Sequence, residues 1–402
     1  MQNKALNKIP IIAFQLCIIA NSVFGIDSST YKISKIVMLM FFAVMAVSIL
    51  FDGRSLRIGD QMIYPILFAV YCVISLLWSY NMSVAYRQLI TQAQLILLLI
   101  FTYMAVMKNV EIKDYLDAVY IAGWGMVAFA ITRYGGLDNY LAVMEEGARM
   151  GSEITNENLF GLVFSNAALA AVYYLIFHKR KVDIVSIAVF TFFALSSGSK
   201  KAALLIVLGV LGIVAVKNGI KKIYKTVIVG AIILIAATYV LQLPYFETIN
   251  TRLEEYFSGE LNDSDENRQQ LIAAGIRLFK KRPFFGYGLD NFRVAAVTSV
   301  YSHNNFIEVL VSGGVVGFAL YYAMYVVPIC KIFFGKLRKF AWQNKEYLML
   351  FILVAMQLAF SYGMVQLYNK NTYILLGVAL ASANKLGYIH QRETLGNLQE
   401  NR

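Results

Sequence analysis

Residues 95 to 107 read Leu95-Ile-Leu-Leu-Leu-Ile-Phe-Thr-Tyr-Met-Ala-Val-Met107, an apolar run that extends back to Gln88 and stops at Lys108. A stretch of roughly 20 apolar residues is what an α-helix needs to cross about 30 Å of hydrocarbon. Similar runs recur along the whole chain, at 9–25, 34–51, 61–79, 115–133, 158–177, 183–198, 202–217, 226–243, 304–329, 347–366 and 371–387, so twelve spans are expected in all. The 402 residues are 59% hydrophobic and 15% charged, against about 25% charged in a soluble domain. The chain therefore reads as an all-α, polytopic membrane protein.

The formal net charge of +12 would suggest nucleic acid in a soluble protein. Here most of it lies between apolar segments, where it orients the chain against lipid headgroups, and nucleic acid is not a partner. With twelve spans both termini share one side, and that side holds more than half of the 36 Lys and Arg residues, including Lys179-Arg180-Lys181 and the stretch Lys331 to Lys345. By the positive-inside bias it is the cytoplasm. The expected layout is nine spans over 1–243, a large extracytoplasmic loop over 244–303, three spans over 304–387 and a cytoplasmic tail over 388–402. The first segment lacks a small-residue cleavage site and reads as a retained helix. Cys17, Cys72 and Cys330 sit inside or at the ends of apolar runs with no C-x-x-C spacing, which supports neither a disulfide framework nor a thiolate metal site.

The loop 244–303 is too long for a plain connection and is the expected place for chemistry. Its charge is divided: residues 244–266 carry seven acids against Arg252, while 267–303 carry six bases against Asp290. Within it, Ser264 suits a helix cap, Leu271, Ile272, Gly275, Ile276 and Phe279 form a stripe at helical spacing, and Pro283 ends the helix. Arg268 lies one turn before Ile272 on that stripe. It points toward protein or membrane, either to meet an anion or to snorkel to headgroups from an interfacial helix. Asp263-Ser264-Asp265 has the spacing of a metal-binding D-x-D motif but sits beside the helix cap; no metal and no cofactor are expected.

After the helix come Pro283-Phe-Phe-Gly-Tyr-Gly-Leu-Asp-Asn-Phe292 and then Ser302-His303-Asn304-Asn305, with Gly314 and Gly317 further on. In this order, in an outer loop of a polytopic protein, these residues resemble the O-antigen ligase and O-antigen polymerase family of bacterial membrane glycosyltransferases. The family's arginine opening a loop helix matches Arg268, its Pro-x-x-Gly-x-Gly turn matches Pro283, Gly286 and Gly288, and its histidine-asparagine pair matches His303 and Asn304. An earlier arginine followed by asparagines matches Arg149, Asn156 and Asn158. The family's Ser-Arg-Gly or Ser-Arg-Ala element appears as Ser199-Lys200-Lys201-Ala202, where lysine keeps the charge and loses the bidentate fork.

The resemblance implies a GT-C type fold and metal-independent transfer of glycan from an undecaprenyl-diphosphate donor to a sugar hydroxyl. The reaction would take place on the outer face of the bacterial cytoplasmic membrane. The departing diphosphate gains negative charge as the glycosidic bond breaks, and Arg149, Arg268, Lys200 and Lys201 all start from the outer side by the expected topology. The acceptor hydroxyl must lose a proton. Of the three histidines, His178 and His390 fall on the cytoplasmic side, leaving His303 as general base or, more simply, as a residue at a helix start. Glu308 either orients it or bonds a neighbouring helix. Asn156, Asn158, Tyr287 and Asn304 are candidates for glycan or acceptor contact; for Asn156 and Asn158, each taken alone, capping of the following span is the favoured reading. Arg87 opens a span and reads as an interface anchor.

Three functions compete. A polymerase of O-antigen, capsule or exopolysaccharide repeats is favoured by the Ser-Lys-Lys and His-Asn-Asn-Phe-Ile-Glu wording. A ligase that moves finished glycan to lipid A core or another terminal acceptor uses the same residues. A lipid-oligosaccharide flippase shares the span count but not the asymmetric outer loop. The partners implied are the lipid-linked oligosaccharide, an acceptor glycan, membrane lipid and a chain-length regulator.

Overall fold

The computed structural model describes residues 8–51, 58–219, 222–258, 263–335 and 337–400. Among them the regular elements are helices and no strand occurs. Each of the twelve expected segments falls on a helix, but eight helices have the length and apolar content to cross a membrane. The shortfall is one of length and charge. The helix Ile9–Val23 has 15 residues and Asp183–Ser196 has 14, about 22 Å at 1.5 Å per residue. The last helix, Lys370–Glu400, turns polar over its second half. The expected all-α membrane architecture is found; the count of twelve crossings is not established.

The chain divides into two compact units. The first comprises residues 1–44 and 113–261. It contains α1 (Ile9–Val23), most of α2 (Tyr31–Phe51), α5 (Ile112–Arg133), α6 (Leu137–Glu145), α7 (Glu157–His178), α8 (Asp183–Ser196), α9 (Lys200–Asn218), α10 (Ile223–Val240) and α11 (Glu247–Ser258). Helix α7 is its axis: Ala167, Ala168, Ala170 and Ala171 are fully buried, and small side chains let neighbouring helices approach closely where lipid supplies no hydrophobic drive. At one such approach, a Cβ on Gly209 of α9 would lie 2.5 Å from the Leu169 side chain. Toward the start of α7 the filling becomes aromatic, with Phe164 stacked on Phe193 at 5.0 Å and set edge-on to Phe160 at 4.9 Å.

The second unit comprises residues 45–112 and 262–402, with α3 (Ile63–Ile74), α4 (Met82–Lys108), α12 (Asp263–Lys281), α13 (Phe292–Ala295), α14 (Asn305–Phe333), α15 (Arg338–Gln343), α16 (Lys345–Phe360) and α17 (Lys370–Glu400). Helices α4 and α17 pack at a glycine: a Cβ on Gly377 would lie 2.8 Å from the Leu99 carbonyl oxygen. Polar clasps hold the pair at two levels. Gln92 donates to the Tyr373 hydroxyl, and the Tyr103 hydroxyl accepts from Asn384 at 3.0 Å and from the Gly59 amide at 2.8 Å. Such buried bonds fix register, because an unmade one inside hydrocarbon is costly. The unit boundary falls within the long loop: residues 244–261, with four of the seven acids, go with the first unit, while Asp263, Asp265, Glu266 and the basic second half go with the second.

Candidate functional site

Helix α14 is two helices joined at a break. Gly314 has φ 59° and ψ −164°, a conformation essentially restricted to glycine. A break frees carbonyls that a continuous helix would satisfy, and inside a membrane each needs another donor. The turn from Pro283 to Gly288 supplies them. The Tyr287 amide donates to the Val311 carbonyl at 2.8 Å and the Gly288 amide to Ser312 at 2.9 Å, while the Val315 amide donates back to Pro283 at 2.8 Å. The Tyr71 hydroxyl of α3 donates to the Gly313 carbonyl at 2.5 Å. Gly286 and Gly288, expected from sequence to form a tight turn, thus do so inside a gap in the next helix. Gly317 serves close packing, since its Cβ would lie 2.8 Å from the Tyr71 ring.

Helix α12 runs from Asp263 to Lys281, as the sequence suggests; the side chains of Asp263 and Ser264 lie outside the described residues, so the D-x-D pair and the Ser264 cap do too. Its buried face is centred on Gly275 and Leu278, with Leu271 half-buried, whereas Ile276 of the expected stripe is 41% exposed. The face shifts because Gly275 meets Ile307 of α14 so closely that a Cβ there would lie 2.1 Å from it. Gly275 beside Ile307, and Pro283 bonded to Val315, give the same offset at two points, so α12 and α14 run parallel. Arg268, seven residues before Gly275, therefore lies at the same end of the pair as His303, four residues before Ile307. Arg268 is one-fifth exposed and its Nη1 meets Asp265 at 2.9 Å.

His303 occupies a fixed turn. Its φ of 54° is left-handed, uncommon for a residue with a side chain. On one side, the Ser302 amide donates to Glu308 Oε2 at 3.0 Å and the Ser302 hydroxyl to the Asn304 carbonyl at 2.8 Å. On the other, Asn304 caps α14 by accepting from the Ile307 amide at 3.1 Å. The imidazole lies against the Tyr301 ring, centroids 4.5 Å apart. Glu308 is fully buried, and its Oε1 has no hydrogen-bond partner among the described residues. Its observed role is to hold the backbone next to the histidine.

Asn305, which sequence reasoning passed over, ties this turn to the α16–α17 connection. Its Oδ1 accepts the Gln366 and Leu367 amides at 2.8 Å each, and its Nδ2 donates to the Tyr322 hydroxyl at 2.9 Å. Tyr287 is 6% exposed, with its ring against the Arg282 guanidinium at 4.8 Å and edge-on to Tyr80 at 6.0 Å.

In the first unit, Arg149 reaches the turn before α9, where its Nε donates to the Ser197 carbonyl at 3.1 Å and its Nη1 lies 3.6 Å from Glu157. A Cβ on Gly198 would stand 3.1 Å from the Arg149 side chain. Ser199 caps α9, which Lys200 and Lys201 open, and its hydroxyl donates to Asn158 Oδ1 at 2.8 Å. Asn156 caps α7 by accepting the Asn158 amide at 3.0 Å. Of the residues singled out in this unit, Arg149, Asn158, Lys200 and Lys201 thus gather at one helix start. Basic side chains at such a start suit an anion.

Residues 184–322, about a third of the chain, match the family model described as O-antigen ligase. The matched segment includes Lys200, Lys201, Arg268, His303, Gly314 and Gly317. The family resemblance named from the motifs is found there. No curated protein is similar enough to this chain to match it.

Proposed function

Taking the O-antigen ligase match over residues 184–322 as premise, we propose that this integral membrane protein is a polysaccharide polymerase. It transfers glycan from an undecaprenyl-diphosphate donor to a sugar hydroxyl on the outer face of the cytoplasmic membrane. The observation that carries the reading is the placement of Arg268 and His303 at one end of the parallel pair α12 and α14. His303 takes the proton of the acceptor hydroxyl, whose oxygen attacks the anomeric carbon; the bond from that carbon to the diphosphate oxygen breaks, and lipid diphosphate leaves. Arg268 stabilises the charge gained by the leaving group. Arg149, Lys200 and Lys201 are assigned to phosphate contact, and Asn156, Asn158, Tyr287 and Asn304 to the support or contact of glycan. No metal enters the proposed reaction.

The ligase reading stands beside it because the matching family model is itself described as O-antigen ligase. The glycan that accumulates when the gene is deleted separates the two. Single lipid-linked repeats are expected for the polymerase; unattached long chains would establish the ligase, and loss of outward-facing lipid-linked repeats altogether would overturn both.

A further inference from the structure

The second unit holds an open cleft of about 500 Å³ between the first turns of α4 and the segment that carries α13. Its volume falls within the roughly 300 to 1,000 Å³ of small-ligand sites. Arg87 and Gln88 line it from α4, and Asp290, Arg293, Thr298 and Ser299 from the facing segment. Val84 and Val294 provide aliphatic surface.

Two guanidinium groups against one carboxylate leave the lining positive, and the amide and two hydroxyls suit a ligand rich in hydroxyl groups. The facing wall is held in place. Asp290 accepts a hydrogen bond from Arg293, which pushes the arginine pKa upward. Asp290 itself has φ 56°, and its amide donates to the Tyr368 hydroxyl at 3.1 Å. Arg87, by contrast, is exposed and bonds only weakly to its own helix, at 3.4 Å from Ser83. Among the described residues its fork is directed by no shorter bond, as a group awaiting a bidentate ligand would be. Ser299 precedes His303 by four residues, a reach of at most about 14 Å even for extended chain.

We propose that this cleft binds a carboxylate-bearing sugar unit of the glycan, of the uronic acid type, with Arg87 and Arg293 as its carboxylate contacts. Glycan transfer by this protein identifies the chain to which that sugar belongs, so the inference rests on the function proposed above. Gln88, Thr298 and Ser299 then meet ring hydroxyls, and the two valines meet the ring's C–H face.

The test is titration of the full chain in detergent with methyl glucuronide, followed by ligand-observed magnetic resonance. Saturable binding is expected, at least tenfold tighter than for methyl glucoside. Arg87→Ala should weaken it at least tenfold, and Arg87→Lys should retain part of it; because Arg87 is exposed, neither substitution threatens the fold as Arg293→Ala would. His303→Ala should leave glucuronide binding unchanged, so that loss of transfer and loss of binding report on different claims. Equal affinity for glucoside and glucuronide, unaltered binding by Arg87→Ala, or full displacement by equimolar inorganic phosphate would overturn the assignment.

Discussion

Gly286 and Gly314 occupy each other's space. A Cβ on Gly286 would lie 2.6 Å from the Val311 carbonyl oxygen and 2.7 Å from the Gly314 nitrogen, and a Cβ on Gly314 would lie 2.3 Å from the Phe284 carbonyl. Both have positive φ, 69° and 59°. Two backbones are therefore packed directly against each other, and α14 is fixed relative to the end of α12.

Gly314→Ala should destabilise the protein by about 2 to 4 kcal/mol, since it adds a steric overlap with main chain to a strained backbone conformation. Thermal unfolding in detergent reads the loss. Gly317→Ala meets a side chain rather than main chain, the Tyr71 ring at 2.8 Å, and Gly317 has no left-handed φ, so it should cost less. Equal stability of Gly314→Ala and wild type would show that α14 can straighten.

Glu308→Ala removes the acceptor of the Ser302 amide and leaves that buried donor unmade, a loss of about 1 to 3 kcal/mol. Glu308→Gln keeps an oxygen at the same place and should retain most of the stability. If holding the His303 turn is the role of Glu308, the Ala variant loses transfer more than tenfold while the Gln variant keeps most of it. Equal loss in both would assign the carboxylate a proton-transfer task instead.

Periodicity and capping rules locate the elements well, because they act within a few residues. The α12 helix, its stop before Pro283 and the caps at Asn156, Ser199 and Asn304 are all readable locally. The break at Gly314 is not, because it exists only with Tyr287 and Gly288 as donors from more than twenty residues away. The pairing of Ser199 with Asn158, 41 residues apart, is invisible for the same reason. Ile276 fits the apolar stripe by its hydrophobicity, yet Gly275 sets the contact, through the side chain it lacks. The cleft that Arg87 lines is invisible locally as well, because its facing wall lies some two hundred residues further on.

Asp27 links α1 to α2 and is 2% exposed. Burial alone would raise its pKa, but hydrogen bonds from the Ser29 amide at 2.8 Å and hydroxyl at 2.7 Å, with the Arg133 charge at 3.7 Å, hold it below the ordinary carboxylate value. A depressed folded-state pKa contributes stability above the unfolded pKa, which disappears as pH falls through the lower value. Asp27→Asn should therefore cost about 1 to 3 kcal/mol at neutral pH, and its difference from wild type should shrink below about pH 4. A difference constant from pH 7 to pH 3 would contradict the ionised pairing.

Transfer should proceed undiminished in excess EDTA. The Asp265 carboxylate is engaged by Arg268 at 2.9 Å, so the D-x-D spacing does not by itself provide a free ligand pair. Loss of activity on chelation, restored by Mg²⁺ or Mn²⁺, would move Asp265 from the ion pair to a metal.

Arg268 and His303 call for different substitutions, because one is assigned a charge with a shape and the other a proton. His303→Ala should lower transfer by about 10² to 10⁴, the usual contribution of a positioned base; Ala keeps the Cβ that makes the left-handed φ of 54° costly, so the backbone strain is similar in both proteins, and a melting temperature close to wild type separates loss of the base from unfolding. Arg268→Ala should be similarly inactive. Arg268→Lys keeps the charge without the planar fork and should be strongly impaired if the diphosphate is gripped by two parallel bonds. Near-normal glycan length with Arg268→Lys would reduce the arginine to a simple counter-charge, whereas normal length with His303→Ala would remove the base from the mechanism altogether.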